Sequence, residues 1–304
     1  MARTRTPATS RSRRLALAVL VAIAALLVLA GAAFADALTP ESGGSPNADE
    51  IDSLYKLVFA VALVIFVGVE GALFYSLFKF RARKGAVAAQ IRGNTRLEVG
   101  WTVGAGVILV FITIFTFIML PDIKNPPASD IDANGNPVTA SNVLYASTDQ
   151  PDPPKGSASI NIDVDGQQYV WRYQYPKSEK DVFSYIEMVV PVGMTITLDI
   201  RADDVIHSWW IPKLGGKMDA VPGYTNRTWF KIPESAIPEG KNSVVYDGQC
   251  AELCGRNHAN MLGRVIGLRY PAYKAWVDRK ALEIKSAREQ AAKSREEIDK
   301  QNAE

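Results

Sequence analysis

The chain has 304 residues and a formal net charge of only +2, so it is long enough for more than one domain. The small charge, without a basic stripe interleaved with aromatic residues, argues against a nucleic-acid-binding protein. The sequence also lacks a dinucleotide-binding glycine motif, a P-loop and a nucleophile elbow. Its apolar residues form three blocks near the N-terminus, which predicts a membrane protein with a large polar C-terminal part.

The first apolar block predicts that the chain is exported. Five arginines precede an apolar run from Leu15 to about Gly31, and residues 33–35 form an A-x-A site. A basic segment, a short apolar segment and small residues at a cleavage site are typical of a secretory signal peptide, here residues 1–35. A retained membrane helix is the alternative, but the run is at the short end of what crosses a bilayer.

Two further apolar blocks predict a transmembrane hairpin with spans at 54–80 and 99–120, each with roughly 20 apolar residues. The loop 81–98 between them carries five basic residues, whereas the segment 36–53 carries five acidic residues and no basic one. The positive-inside rule therefore places the loop in the cytoplasm and both ends outside. Glu70 interrupts the first span, and because a buried charge in a bilayer is costly, we expect it to face protein, a polar pocket or an end.

The polar remainder predicts an extracytoplasmic β domain. Residues 121–156 are rich in Pro, Asp, Asn and Ser and read as a linker, whereas residues 157–271 contain short β-branched and aromatic runs bounded by turn residues. Such runs predict an antiparallel sandwich or barrel. Residues 272–304 predict a charged, solvated helix. The predicted fold class is a membrane-anchored all-β protein with a two-helix transmembrane hairpin and a charged C-terminal helix.

The scarce sulfur and imidazole groups are concentrated in one stretch. The chain has two cysteines and two histidines, and Cys250, Cys254 and His258 lie close together, with Met261 following and His207 upstream. Thiolate, thioether and imidazole ligands together favour copper or zinc. We therefore expect a single soft-metal site.

This stretch has two other interpretations, a disulfide and a zinc site. A disulfide between Cys250 and Cys254 suits an exported domain, but it would close a short loop, stabilise little and leave the histidines and Met261 unexplained. A Cys2His2 zinc site needs no thioether. A methionine three residues after a histidine favours copper, and a second cysteine suggests two coppers bridged by both thiolates.

Residues 203–270 resemble the copper domain of cytochrome c oxidase subunit 2. The resemblance rests on Val205–Pro212, on Lys217–Gly223 and on Gly248–Met261 with its C-x-E-x-C-G-x-x-H-x-x-M pattern. It extends to residues 93–102 at the second span and covers about residues 50–272. It implies a cupredoxin-like domain with a binuclear copper A centre.

The resemblance also implies a ligand set. The implied copper ligands are His207, Cys250, the carbonyl of Glu252, Cys254, His258 and Met261. The two cysteines would bridge both coppers, His207 and Met261 would complete one, and His258 with the Glu252 carbonyl would complete the other. The Glu252 side chain resembles the carboxylate that binds Mg or Mn at the interface with the catalytic subunit.

Further positions match residues that handle electrons and protons in the family. Tyr169, near Trp171, stands where the family commonly has a tryptophan at which electrons arrive from cytochrome c. Asp203 and Asp204 match acids that help to dock basic cytochrome c. Glu98 matches a glutamate near the cytoplasmic mouth of a proton path, although a carboxylate at the start of a helix is an equally good interpretation.

The implied function is that of the electron-accepting subunit of a respiratory cytochrome c oxidase in a bacterial cell membrane. Electrons from cytochrome c, or from a membrane-bound c-type cytochrome, would pass to a haem in the catalytic subunit, which reduces oxygen to water and translocates protons. Both histidines are committed to copper, so none remains for haem or oxygen chemistry. The expected partners are that subunit, other oxidase subunits and membrane lipid, but not nucleic acid. A metal-free quinol-oxidase-like subunit would lack the ligands, and a nitrous oxide reductase domain would lack the two spans.

Overall fold

Two long helices come first in the chain. The computed structural model describes residues 39–81, 85, 87, 90–138, 153–176 and 180–303, so the predicted signal peptide lies outside the described residues. Helix α1 is Pro46–Lys79 and helix α2 is Thr95–Lys124. By length and composition, both are long and apolar enough to cross a membrane.

Helix α1 begins before its predicted apolar run, and α2 extends beyond its run at both ends. The residues that start and end a helix can be polar, so the apolar run alone does not mark these ends. Asn94 caps α2 by accepting a hydrogen bond from the amide of Leu97 at 3.2 Å. Along both helices large apolar side chains are exposed, for example Phe66 at 61% and Phe117 at 70%. A continuous exposed apolar surface of this kind suits lipid or a partner membrane protein rather than water. Glu70 makes no hydrogen bond or ion pair with any described residue.

Ten strands in the described residues form the C-terminal β domain. They are β1 (Ser159–Gln167), β2 (Val170–Gln174), β3 (Phe183–Tyr185), β4 (Glu187–Pro191), β5 (Thr195–Ala202), β6 (His207–Trp209), β7 (Met218–Ala220), β8 (Asn226–Lys231), β9 (Ser243–Gln249) and β10 (Leu262–Leu268). One sheet has the order β3-β2-β1-β5-β8, a second has the order β4-β10-β9, and β6 and β7 form a two-stranded ribbon. The arrangement is the predicted β-sandwich.

The prediction of a purely antiparallel sandwich is wrong at two strand pairs. Strand β1 runs parallel to β5, and β10 runs parallel to β4. The chain leaves the first sheet after β3, forms β4 in the second sheet, and returns as β5 beside β1. Parallel neighbours need such a crossover rather than a hairpin, and short local runs of sequence do not reveal it.

The core lies between the two sheets and follows the strand alternation. On β1, Ile162 and Val164 are fully buried while Asp163 between them is only half-buried. On β5, Ile196, Leu198 and Ile200 are also fully buried. Burying each such side chain contributes roughly 1.5–3 kcal/mol, so these strands form a stiff frame for the loops.

Helix α3 (Tyr270–Ala303) corrects the prediction of a fully solvated tail. Tyr273 and Val277 in its first turns are fully buried in the core of the sandwich. An ion pair from Lys180 to Asp278 at 2.6 Å holds the same part of the helix. The charge pattern of this segment does not predict these contacts, because only one or two residues in each turn face the core.

Candidate metal centre

The loop between β9 and β10 carries five of the six predicted ligands and is closed at its base by backbone hydrogen bonds. The amide of Cys250 donates to the carbonyl of Met261 at 2.9 Å, which brings the two ends of the loop together. The amide of Ala251 donates to the carbonyl of Ser208 at 2.9 Å and ties the loop to β6. Strand β6 begins with His207, so this contact brings the distant histidine to the loop.

The two cysteine sulfurs lie 3.9 Å apart and are not bonded to each other. A disulfide would need about 2.05 Å. Two thiolates with this separation can instead share a metal ion, because metal–sulfur bonds of about 2.3 Å would then enclose an angle of about 115°. The geometry suits a shared soft metal rather than a cross-link.

The remaining donor atoms surround this sulfur pair. Nδ1 of His207 lies 3.9 Å and the carbonyl oxygen of Glu252 lies 3.2 Å from Sγ of Cys250. Nδ1 of His258 lies 3.5 Å and Sδ of Met261 lies 3.9 Å from Sγ of Cys254. The donor atoms of His207, Cys250 and Cys254 all lie within 4.8 Å of one another.

Most of the donor side chains are shielded from water, which disfavours the ionised thiolates until a cation binds. His207 and Met261 are fully buried, and Cys250 and Cys254 are 3% and 4% exposed. Burial, and then the neighbouring Cys250, raises the pKa of the Cys254 thiol to about 11. A bound soft cation supplies the charge that lets both thiols ionise, so the donor set fits a copper site.

The carboxylate of Asp204 holds the imidazole of His207 in place. Its Oδ1 lies 2.8 Å from Nε2 of His207, and its two oxygens also accept the amides of Gln168 and Val205, each at 2.7 Å. Burial by itself would raise the pKa of Asp204, but the hydrogen bonds from His207 and the two amides outweigh it and lower the pKa. Because a carboxylate only accepts, the contact assigns the imidazole proton to Nε2 and leaves Nδ1 free for the metal side.

The aromatic residues and the second acid lie beside the centre. The hydroxyl of Tyr169 lies so close to Gly255 that a Cβ there would be 2.6 Å from it. Trp171 is buried, with its ring 5.9 Å from that of His207 in an edge-on arrangement. Asp203 is exposed and accepts a hydrogen bond from the side chain of Gln167 at 2.7 Å.

Glu98 is the predicted site residue that the structure does not bring to this centre. It lies in the first turn of α2, and its Oε1 accepts the amide of Asn94 at 3.3 Å. The 26 residues of α2 that follow it, up to Lys124, separate it from the β domain by about 39 Å. Its contact is that of a carboxylate at the start of a helix.

Sequence reasoning missed two residues that shape the centre. The side chain of Gln168 donates to the carbonyl of Cys254 at 2.7 Å, and no motif in the sequence marks it. A Cβ at Gly166 would lie 3.0 Å from Trp171 and 3.1 Å from His207, so this position must stay small. A glycine inside an alternating strand was the available signal for such a close approach.

Comparison with known proteins gives two matches to one family. Residues 33–119 match the family profile "Cytochrome C oxidase subunit II, transmembrane domain", and residues 181–266 match "Cytochrome C oxidase subunit II, periplasmic domain". Together with the two candidate membrane helices, these matches fit a two-pass membrane protein with an extracytoplasmic C-terminal domain.

Individual relatives agree with the profiles. The chain is 32% identical over 281 residues to cytochrome c oxidase subunit 2 of Alkalihalophilus pseudofirmus, covering 91% of this chain and 72% of the relative. It is 29% identical over 284 residues to the Cereibacter sphaeroides protein, covering 79% and 81%. A crystal structure of the periplasmic domain of subunit II of cytochrome oxidase from Bradyrhizobium japonicum is 30% identical and covers 42% of this chain and 96% of that one, with a TM-score of 0.38.

The family implies copper, electron transport and a cupredoxin-like domain in a cytochrome c oxidase complex, and the soft donor set described above fits that implication. The chain belongs to the cytochrome c oxidase subunit II family.

Proposed function

We propose that this chain binds a pair of copper ions and passes single electrons from a c-type cytochrome to a haem in the catalytic subunit of the oxidase. The observation that carries the proposal is the pair of free, buried cysteines with sulfurs 3.9 Å apart. A mononuclear copper site of the blue type uses one cysteine, so the second thiolate is accounted for when both sulfurs bridge two ions.

The proposed ligands are the six residues named from the sequence. They are His207, Cys250, the carbonyl of Glu252, Cys254, His258 and Met261. The cysteines would bridge, and each histidine would bind one ion through Nδ1. Nδ1 of His207 lies 3.9 Å from Sγ of Cys250 and Nδ1 of His258 lies 3.5 Å from Sγ of Cys254, which supports both imidazoles as ligands. A zinc site would not account for Met261, whose fully buried sulfur lies 3.9 Å from Cys254.

A bridged copper pair, when bound, spreads the charge of one electron over two ions and two sulfurs, so its geometry changes little on reduction. The chain supplies the conditions for this chemistry. The fold excludes water from His207, Met261 and the two cysteines, and Asp204 fixes the orientation of His207. Tyr169, half-buried against the loop at Gly255, offers an aromatic ring between the centre and the surface.

Surface residues around the loop support contacts with partners. The side chain of Glu252 is exposed and has no hydrogen bond or ion pair among the described residues. A free carboxylate beside the copper loop suits Mg or Mn shared with the catalytic subunit, because both ions prefer oxygen ligands. Asp203 is the better candidate for docking a basic cytochrome, since both oxygens of Asp204 already accept hydrogen bonds within the chain. For Glu98, at the start of α2, we keep the proton-path role as a proposal.

Counting metals in the purified, full-length membrane protein tests the proposal. We expect two copper ions per chain, with near-infrared absorption and a purple colour in the oxidised form. The Cys254→Ser variant should lose the second copper and this absorption. One zinc per chain, or an oxidised cysteine pair that takes up no copper under reducing conditions, would contradict the binuclear site.

A further inference from the structure

Strand β8 joins the copper domain to both membrane helices through one residue, Trp229. Its side chain is 2% exposed, and its Nε1 donates to the carbonyls of Ile123 and Lys124 at 3.1 and 3.0 Å. These carbonyls belong to the last turn of α2, where a helix leaves its acceptors unpaired. The backbone carbonyl of the same tryptophan accepts the side-chain amide of Asn47, in the first turn of α1, at 2.9 Å.

Buried polar contacts on either side reinforce this junction. Ser45, 1% exposed, accepts the amide of Lys231 at 3.0 Å. Ser129, 1% exposed, accepts the amide of Thr195 at 2.8 Å, and the ammonium of Lys231 pairs with Asp130 at 2.9 Å. Buried hydrogen bonds of this kind are directional, and leaving one partner without its bond is destabilising. The domain is therefore attached to the helices by oriented contacts as well as by the chain itself.

The same strand leads towards the copper ligands. Successive residues of a strand point to opposite faces, so Phe230 points into the core where Trp229 points to the helices. The ring of Phe230 stacks on Trp209 with 6.2 Å between ring centres and 16° between their planes. Trp209 ends β6, the strand that begins with His207. A continuous packed path thus joins the ends of the membrane helices to the ligand strand.

We propose that Trp229 is a positioning residue that sets where the copper centre stands above the membrane, and so how fast electrons pass to the haem of the partner subunit. The inference rests on the proposed function. The hydrogen bonds of the Trp229 side chain go to α2 and not to a copper ligand, so its replacement should leave the centre intact and change only its placement. Misplacing a reacting group by about 1 Å can cost up to 10²-fold in rate.

The test compares two tryptophan-to-phenylalanine changes in the assembled, purified oxidase. Trp229→Phe keeps an aromatic ring but removes the N–H donor. Trp276→Phe, on the half-buried face of α3 away from the junction, is the matched control. For Trp229→Phe we expect unchanged copper content, unchanged near-infrared absorption and an unchanged KM for cytochrome c. We expect kcat and the copper-to-haem electron-transfer rate to fall roughly five- to ten-fold. The control should match the parent.

Amide hydrogen exchange provides a readout that does not depend on turnover. The amide of Lys231 reports on the junction and the amide of Cys250 reports on the loop, so exchange should rise at the first and stay unchanged at the second. Asn47→Ala, which removes the contact to α1, should act in the same direction and serves if Trp229→Phe does not assemble. The proposal would be overturned if exchange at Lys231 stayed unchanged, or if exchange rose but the electron-transfer rate did not fall. Loss of copper would overturn it as well. A parent that holds only one metal would contradict the binuclear site, while exchange at Lys231 would still test the junction.

Discussion

Nε2 of His207 lies 2.8 Å from Oδ1 of Asp204, three residues earlier in the chain. The carboxylate is held by two further backbone amides, so the imidazole is held at a fixed orientation with Nδ1 towards the sulfurs. Asp204, for which the family resemblance implies a docking role, therefore orients a histidine inside the protein. Replacing Asp204 and replacing its neighbour Asp203 should therefore have different consequences.

Replacing Asp204 should weaken copper binding, whereas replacing Asp203 should not. Loss of a partner that orients a metal-binding histidine typically costs 10–100-fold in affinity. We expect Asp204→Ala to release copper to a chelator at a correspondingly lower chelator concentration, and Asp204→Asn to have a smaller effect. Asp203→Asn, the matched control, should keep the parental affinity and raise only the KM for cytochrome c. Equal copper affinity in all three variants would remove the orienting role.

His258 should be required for electron transfer but not for folding or export. It lies half-buried in a short 3-10 turn outside the sandwich core, with Nδ1 3.5 Å from Cys254. We expect His258→Ala to reach the membrane at the parental level and to lose more than about ten-fold in cytochrome c oxidation, because its copper loses a ligand. Asn257→Ala in the same loop is the control. Parental turnover in His258→Ala would mean that His258 is not a ligand.

Tyr169 offers a test of the route by which electrons arrive. Its ring lies against Gly255, next to Cys254, so truncating it removes an aromatic bridge without touching a sulfur. We expect Tyr169→Ala to slow electron uptake from cytochrome c in stopped-flow measurements by roughly ten-fold. Tyr169→Trp, which restores the common family residue, should match or exceed the parent. Tyr185→Ala removes an exposed tyrosine from β3 and should have no effect.

Asp163 should make the folded domain less stable at neutral pH. It lies directly opposite Asp199 on the parallel strand β5, and burial, more than any other influence, raises its pKa above the ordinary value. The charged form is therefore disfavoured in the folded state. The free energy of unfolding falls as the pH rises from the unfolded pKa through the raised folded pKa. At a pH below the unfolded pKa of about 3.9, the penalty is absent.

The expected result is that Asp163→Asn raises the unfolding temperature at pH 7 but leaves it unchanged near pH 3. The gain should be below about 1 kcal/mol, as is usual for a partly exposed position. Asp199→Asn is the control, because Asp199 pairs with Arg227 at 2.8 Å and its removal should not stabilise. Tryptophan fluorescence of the full chain in detergent follows the transition. A gain that persisted at low pH would rule out the charge explanation.

Sequence alone determined the features that depend on local pattern. Apolar length gives the two membrane helices, alternation gives the sandwich strands, and the spacing from Cys250 to Met261 gives the soft-metal site and its family. These are readable because each is encoded within a few consecutive residues. The donor types likewise carry their chemistry wherever they are placed in the chain.

The tertiary structure decided everything that depends on contacts between distant residues. The parallel pairing of β1 with β5, the burial of Tyr273 from α3, and the support of Cys254 by Gln168 each join segments far apart in sequence. The same holds for Asp204, whose contact with His207 is not predicted by the sequence, and for Trp229, which lies in no recognised motif. Packing selects such partners by shape and by unmet hydrogen-bonding groups, which a linear pattern does not record.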